Sequence, residues 1–314
     1  MTKLLDTLYF SLFLVAITIV RCVPMRIAVP IGATLFRLFF MIVPRCSKTS
    51  KTNLALVFPG DAARQEEIYQ RSFLELSRSL LDSVRAAHVS DSWITSHITF
   101  AGNARTTDEQ SEKKVGTIVV TGHLGSFELL GQALALQRKG VFVVMRSLGS
   151  SLINNWWIKM REKRGNRCIN RIGALRGILK GINSGRDVVI LVDQNIKRQN
   201  AVFVEWFGKS AATTPAVALV ALSTGCAIEV SSIRHLSDDS YELFTEPCPI
   251  DDIRNDDTLD REAKVLRITQ RLSTQFAQRI LAHPEAWLWM HRRWKTATRD
   301  EDETFYKMPQ NHEA

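Results

Sequence analysis

The sequence is poor in cysteine, and what it has forms no framework. Cys22, Cys46, Cys168, Cys226 and Cys248 are odd in number, widely scattered and free of any C-x-x-C pair. That spacing yields neither a disulfide scaffold nor a cysteine-based zinc site, and it fits a reduced, cytoplasmic setting for the soluble part. Internal repeats and low-complexity segments are also missing. Acidic residues are in the minority, 32 against 41 basic ones, which gives a net charge of +9 and a pI near 9.5. Such a balance suits an anionic partner: a membrane surface, a lipid phosphate, an acidic carrier protein or nucleic acid. Nucleic acid is set aside because the densest basic stretch, residues 161–171, contains no aromatic side chain for bases to stack on.

What is present is enough for one large α/β domain or two small ones: 314 residues, 45% of them hydrophobic, with wholesale disorder excluded. The first 45 residues stand apart as an expected membrane anchor. Leu8 to Val20 is apolar, Arg21 and Arg26 follow, and a second apolar stretch from Ile27 to Pro44 is broken only by Arg37. Neither alone reaches the roughly 20 apolar residues of a comfortable span. No small-residue cleavage site follows Val20, where Arg21-Cys22-Val23-Pro24 stands. A short tilted transmembrane helix, a membrane-embedded hairpin with Arg37 snorkelling and an interfacial anchor all remain open. A buried pair of core helices is the plainer alternative, disfavoured because Phe and Leu occur on all faces.

Residues 46–298 read as the main domain and 299–314 as a polar tail. A helix ends at Pro59-Gly60, and an amphipathic helix covers 65–87 through Ile68, Phe73, Leu76, Leu80 and Val84. A polar loop near 101–114 precedes a β-branched strand, Thr117 to Thr121. A helix over 127–137, a strand over 141–145 and helices near 151–164 and 174–183 follow. Further strands fall at 187–192, 203–206, 227–233 and 241–245, with helices over 215–223 and 261–281. Strands alternating with helices predict an α/β fold: a central, mostly parallel or mixed sheet flanked by helices.

The chemistry gathers in Thr121-Gly122-His123-Leu124-Gly125-Ser126-Phe127-Glu128. A buried strand delivers His123 to its carboxyl end, where ligands collect in open α/β sheets. Gly125 permits a tight turn, and Glu128 falls in the first turn of the next helix. A carboxylate there could hydrogen-bond one imidazole nitrogen and leave the other as a general base. From spacing alone, a polar turn with a capped helix remains the simpler explanation.

The segment resembles the H-x-x-x-x-D/E motif of the glycerolipid and lysophospholipid acyltransferase superfamily. More closely, the chain resembles the lipid A biosynthesis acyltransferases of Gram-negative inner membranes over about Asn53 to Lys295. The matching blocks are Asn53-Leu54 with Phe58-Pro59, His123 to Glu128, Met160 to Gly165, Asp193-Gln194-Asn195, Val202-Phe203-Val204 with Phe207-Gly208, and Trp287 to Lys295. The family usually has Asn-Trp before the acid, and Ser126-Phe127 stands here, which leaves acceptor and acyl specificity open. The resemblance implies acyl transfer from acyl carrier protein to a hydroxyl of a phosphorylated glycolipid, a lipid A precursor. It would occur on the cytoplasmic face of the inner membrane, with no metal or organic cofactor. His123 would be the base, and Glu128 would orient and charge-stabilise it. Amides near Gly125 and Ser126 are expected to hold the oxyanion.

The superfamily places a basic substrate-binding residue in its second block. Arg161 and Arg164 are therefore the expected phosphate ligands, Arg164 preferred because Gly165 follows it, against the ordinary reading of a solvated charged helix face. Asp193 and Gln194 close an apolar strand at the edge that carries His123, if the strands are parallel. His291 is expected to be structural or interfacial. The other histidines, His88, His97, His235, His283 and His312, show no zinc-binding spacing. Acyl transfer to another lipid (a phosphatidylinositol mannoside, a lysophospholipid or an ornithine lipid) and a non-catalytic membrane scaffold are the competing expectations.

Overall fold

Strands buried on both faces need apolar side chains at every position, and the short β-branched runs supply them. In the computed structural model, which describes residues 3–102, 115–237, 239–296, 298, 305 and 306, they form a seven-stranded sheet. Its strands are β1 (Ile98–Gly102), β2 (Ile118–Thr121), β3 (Phe142–Met145), β4 (Arg167–Asn170), β5 (Val188–Leu191), β8 (Ile228–His235) and β9 (Tyr241–Pro247), in the order β1-β9-β8-β2-β5-β3-β4. All neighbours are parallel except β8 and β9. Period-2 alternation divides the core in two: Ile118, Val120, Val188 and Ile190 enter one layer, Val119 and Val189 the other. β6 (Val202–Trp206) and β7 (Lys209–Thr213) make a separate hairpin. Its two-residue turn holds Phe207 and Gly208 at φ 54° and 73°, the left-handed pair that matches strand twist.

The first layer is covered by α3 (Pro44–Val57), α4 (Ala62–Arg85), α8 (Ala174–Asn183), α9 (Ala216–Thr224) and α11 (Arg261–Ala282); the second by α5 (Asp91–His97), α6 (Phe127–Gln137) and α7 (Ser151–Glu162). A single turn, α10 (Asp251–Arg254), leads into α11. Helix starts follow from their caps: Asp61, Ser90, Ser150 and Asp260 each accept a backbone amide three residues on. Gly225, at φ 72°, ends α9 in the left-handed conformation that a side chain would resist.

The two N-terminal apolar stretches are helices, α1 (Lys3–Cys22) and α2 (Met25–Ile42). Both are long and apolar enough to cross a membrane, and only 11% and 17% of their apolar windows are buried, so they are not core helices. α2 lies on α4 and α1 beside α7. Arg37 turns toward the domain, with its guanidinium 5.4 Å from the centre of the Phe73 ring.

Sequence patterning does not register β1, β4 or β7; β4 is Arg-Cys-Ile-Asn, with no apolar run to mark it. Most of the stretch 101–114, read as a loop, and most of the tail 299–314 lie outside the described residues. Within that tail, Phe305 packs on Trp294, and the Tyr306 hydroxyl donates to Asn53 at 2.8 Å.

Candidate active site

Parallel pairing of β2 with β5 sets Thr121 opposite Leu191. Two residues on in the same register, His123 stands opposite Asp193. The Asp193 carboxylate accepts from the His123 amide at 2.8 Å through Oδ2 and from His123 Nδ1 at 3.0 Å through Oδ1. Trp287 Nε1 donates to Oδ2 at 3.1 Å. A buried carboxylate acting as acceptor fixes the proton on Nδ1 and leaves Nε2 as the open, basic nitrogen. The exposed amide of Gln194 lies 3.3 Å from Nε2. The Phe127 ring stands edge-on to the imidazole, with centroids 5.0 Å apart.

Electrostatics agree with this division. Burial alone would push His123 down, but the charge and hydrogen bond of Asp193 outweigh it and raise its pKa above the usual 6.5. Burial would likewise raise Asp193, yet the His123 pair and the donors from the His123 amide and Trp287 bring it down to about 2.

Two glycines make the geometry possible. A Cβ on Gly122 would sit 2.5 Å from Phe276 and 2.8 Å from the Asp193 carboxyl carbon; Gly125, at φ 63°, leaves its missing Cβ position 2.1 Å from the Ile233 carbonyl oxygen. The loop is gripped from two sides. On one, Ser79 donates to the Gly125 carbonyl at 2.8 Å, and the Ser126 hydroxyl donates to buried Asp82 at 2.5 Å. On the other, a strap of residues 284–296 lies across it: Gly125 N donates to Ala286 O at 3.0 Å and Leu288 N to His123 O at 3.2 Å. Asn53 Nδ2 ties the strap down through the carbonyls of Trp289 and His291. The His291 ring accepts the Asn195 amide at 2.9 Å, and burial lowers its pKa to about 4, so it is a neutral acceptor.

Several expectations change. Glu128 does not touch His123. In the first turn of α6 it faces α7, where its carboxylate accepts from Arg161 Nε at 3.0 Å, from Arg161 Nη2 and from Trp157 Nε1 at 3.2 Å. The acid that holds the histidine is Asp193, 70 residues away in sequence. Of the two expected oxyanion donors, the Gly125 amide is already engaged by Ala286; at Ser126 it is the hydroxyl, not the amide, that Asp82 holds. Arg164, preferred for phosphate, is a structural clamp instead. Its Nε, Nη1 and Nη2 donate to Asp91, Gln132 and the Val89 carbonyl, each at 2.7 Å, and its side chain is 5% exposed. Arg161 is bound by Glu128 and lies 3.2 Å from Met145 Sδ. Arg164→Ala is therefore expected to destabilise the fold by about 2 kcal/mol and to leave the KM values for both substrates in their ratio. A selective rise in the acceptor KM would return Arg164 to phosphate binding.

Asp82 and the donor role of Trp287 had no signal at the level of residue spacing. Asn53, Asn195 and Trp287 lie in blocks of the family resemblance, and the fold brings those blocks together.

A carboxylate that locks one imidazole nitrogen and leaves the other open beside an exposed amide is an arrangement suited to general-base chemistry on a protic group. The chain belongs to the bacterial lipid A biosynthesis acyltransferase family, which matches residues 1–296, and it is an acyl-transferring enzyme. It is 25% identical over 256 residues to the lipid A biosynthesis palmitoleoyltransferase of Escherichia coli (strain K12), covering 80% of this chain and 79% of that protein. It is 25% identical over 280 residues to the lipid A biosynthesis lauroyltransferase of the same organism, covering 87% of each. A phosphatidylinositol mannoside acyltransferase of Mycobacterium tuberculosis (strain CDC 1551 / Oshkosh) is 25% identical over 185 residues, or 57% of this chain and 55% of that one.

Proposed function

We propose that this enzyme moves a fatty acyl group from acyl carrier protein to a hydroxyl of a phosphorylated lipid A precursor, at the cytoplasmic face of a bacterial inner membrane. The observation that carries the chemistry is the His123–Asp193 pair, with Nε2 turned outward. His123 Nε2 takes the proton of the acceptor hydroxyl as its oxygen attacks the thioester carbonyl. The C–S bond then breaks, and the imidazolium returns the proton to the departing thiolate. Asp193 stabilises the imidazolium in between. The Gln194 amide is our choice of oxyanion donor, being exposed beside the base. Glu128 acts indirectly, by locking Arg161 and Trp157 of α7 against α6 next to the site. Anchoring by α1 and α2 is supported by their length and their unburied apolar faces. The acceptor assignment leans on the names of the relatives, and transfer to a phosphatidylinositol mannoside uses the same chemistry with a different pocket.

The test is acyl transfer by detergent-solubilised protein, with acyl carrier protein thioesters of mixed chain length and a panel of acceptors including a lipid A precursor. Transfer to another lipid alone would keep the chemistry and refute the acceptor. No transfer to any would refute the reading as a whole.

A pH profile tests the pair. The base must be neutral, so kcat/KM should rise with pH through a midpoint above 6.5, where Asp193 holds it. Asp193→Asn removes the charge that raises His123 and leaves burial acting alone, so the midpoint should move to lower pH as the rate falls. A midpoint that stays in place would mean that some other group titrates.

A further inference from the structure

Besides the site, the carboxyl edge of the sheet carries two loops that the chemistry leaves unused. One follows β3 (residues 146–150); the other follows β4 (residues 171–173) and enters α8. Both strands run parallel to β5, so the loops open on the edge that holds His123 and Gln194. Leu148, Ile172 and Leu175 project there, 47%, 85% and 50% exposed. Among the described residues no large apolar side chain is more exposed than Ile172. The tips are held out rather than collapsed. Asn170 Nδ2 donates to Ser147 Oγ at 3.0 Å, Arg171 N to Met145 O at 2.7 Å and Leu148 N to Asn154 Oδ1 at 2.9 Å.

Exposed Arg146, Arg171 and Arg176 stand among these tips. From Leu129 to Arg186 the chain has a single acidic residue, Glu162, which is engaged by the Cys168 amide. The platform also continues the apolar surface of α1. The Asp6 carboxylate accepts from Ser151 Oγ at 2.6 Å at the start of α7, next to the β3 loop, and Leu4, Leu5 and Leu8 are exposed nearby along α1. Aliphatic tips ringed by arginines match a bilayer whose headgroups are anionic, with side chains entering the hydrocarbon and guanidiniums at the phosphates. An acidic protein would satisfy the arginines and leave Ile172 without a reason to protrude.

We propose that these two loops are a second membrane contact, seating the carboxyl edge on an anionic bilayer so that His123 opens onto the headgroup layer. This rests on the membrane-bound reading above, and the experiment separates the two. The full-length protein, with Ile172, Leu12 of α1 or Leu266 of α11 replaced in turn by benzoylphenylalanine, is bound to phosphatidylcholine–phosphatidylglycerol vesicles with acyl carrier protein present. It is then irradiated and its adducts are weighed. Phospholipid adducts at positions 12 and 172, and none at 266 on the helix that starts from the opposite edge, are expected. Lipid at 12 with none at 172, or carrier protein at 172, would overturn the second contact and leave the anchor standing. No lipid at either position would overturn both. As an independent reading, Ile172→Asp should raise KM about tenfold for acceptor presented in vesicles and leave detergent-dispersed acceptor unaffected; equal effects on both would refute the loop's role.

Discussion

His123→Ala is expected to cut turnover by about 10³-fold or more, the scale of a lost general base, with the circular dichroism spectrum unchanged. The imidazole makes its side-chain contacts with Asp193, Gln194 and Phe127; the backbone that fixes the loop runs through Gly125, Leu288 and Ala286 and survives the change. Asp193→Ala should come close to the same loss, since it removes both the lock on Nδ1 and the charge that favours the imidazolium. The double variant should be scarcely worse than His123→Ala, because two residues acting as one unit are not additive. The measurement is initial rate at saturating acceptor for all four proteins. A His123→Ala enzyme that keeps a tenth of its turnover would sink the mechanism, and additive losses would separate the two residues.

The largest effect on stability should come from the opposite edge. Arg138, at the end of α6, is 5% exposed and donates to Asp187 at 2.8 Å and Glu229 at 2.6 Å, where β5 and β8 begin. Asp187 also accepts the Thr117 amide at 2.7 Å, just before β2. Arg138→Ala takes the shared guanidinium away from two buried carboxylates and should cost about 3–5 kcal/mol. Neutralising the partners along with it (Arg138→Met, Asp187→Asn, Glu229→Gln) should recover much of that, because it is buried charge deprived of its guanidinium that destabilises. Denaturant midpoints of the two variants decide the matter; similar losses in both would mean that shape, not charge, is what Arg138 supplies. At low temperature the turnover of either folded variant should stay near that of the parent.

The same two edges show what the sequence makes readable. Runs such as Val188 to Val192 announce buried strands by composition, and alternation with helices announces the α/β sheet that the structure has. The partner of His123 is another matter. Local spacing draws attention to Glu128, five residues on, whereas the contact depends on β2 and β5 being neighbours in parallel register, a fact no local window contains. Charge runs mislead in a related way. Arg164 sits in a dense basic stretch and reads as a phosphate ligand, yet its fork is enclosed by Asp91, Gln132 and Val89, which only the packing of α7 against α6 and the segment before α5 brings within reach. Ser126, a departure from the family pattern, makes sense once Asp82 of α4 is seen beneath it.

The strap over the histidine loop has a consequence in time. Residues 284–296 leave the ribosome after every other part of the site, and until they arrive Asp193 lacks its Trp287 donor and the Gly125 amide its acceptor. The apolar helices α1 and α2, by contrast, emerge before the sheet and its loops. On the membrane-bound reading proposed above, a chain still being translated would reach a lipid surface well before its histidine loop is fastened, and prematurely ended copies would collect there with that loop unfastened.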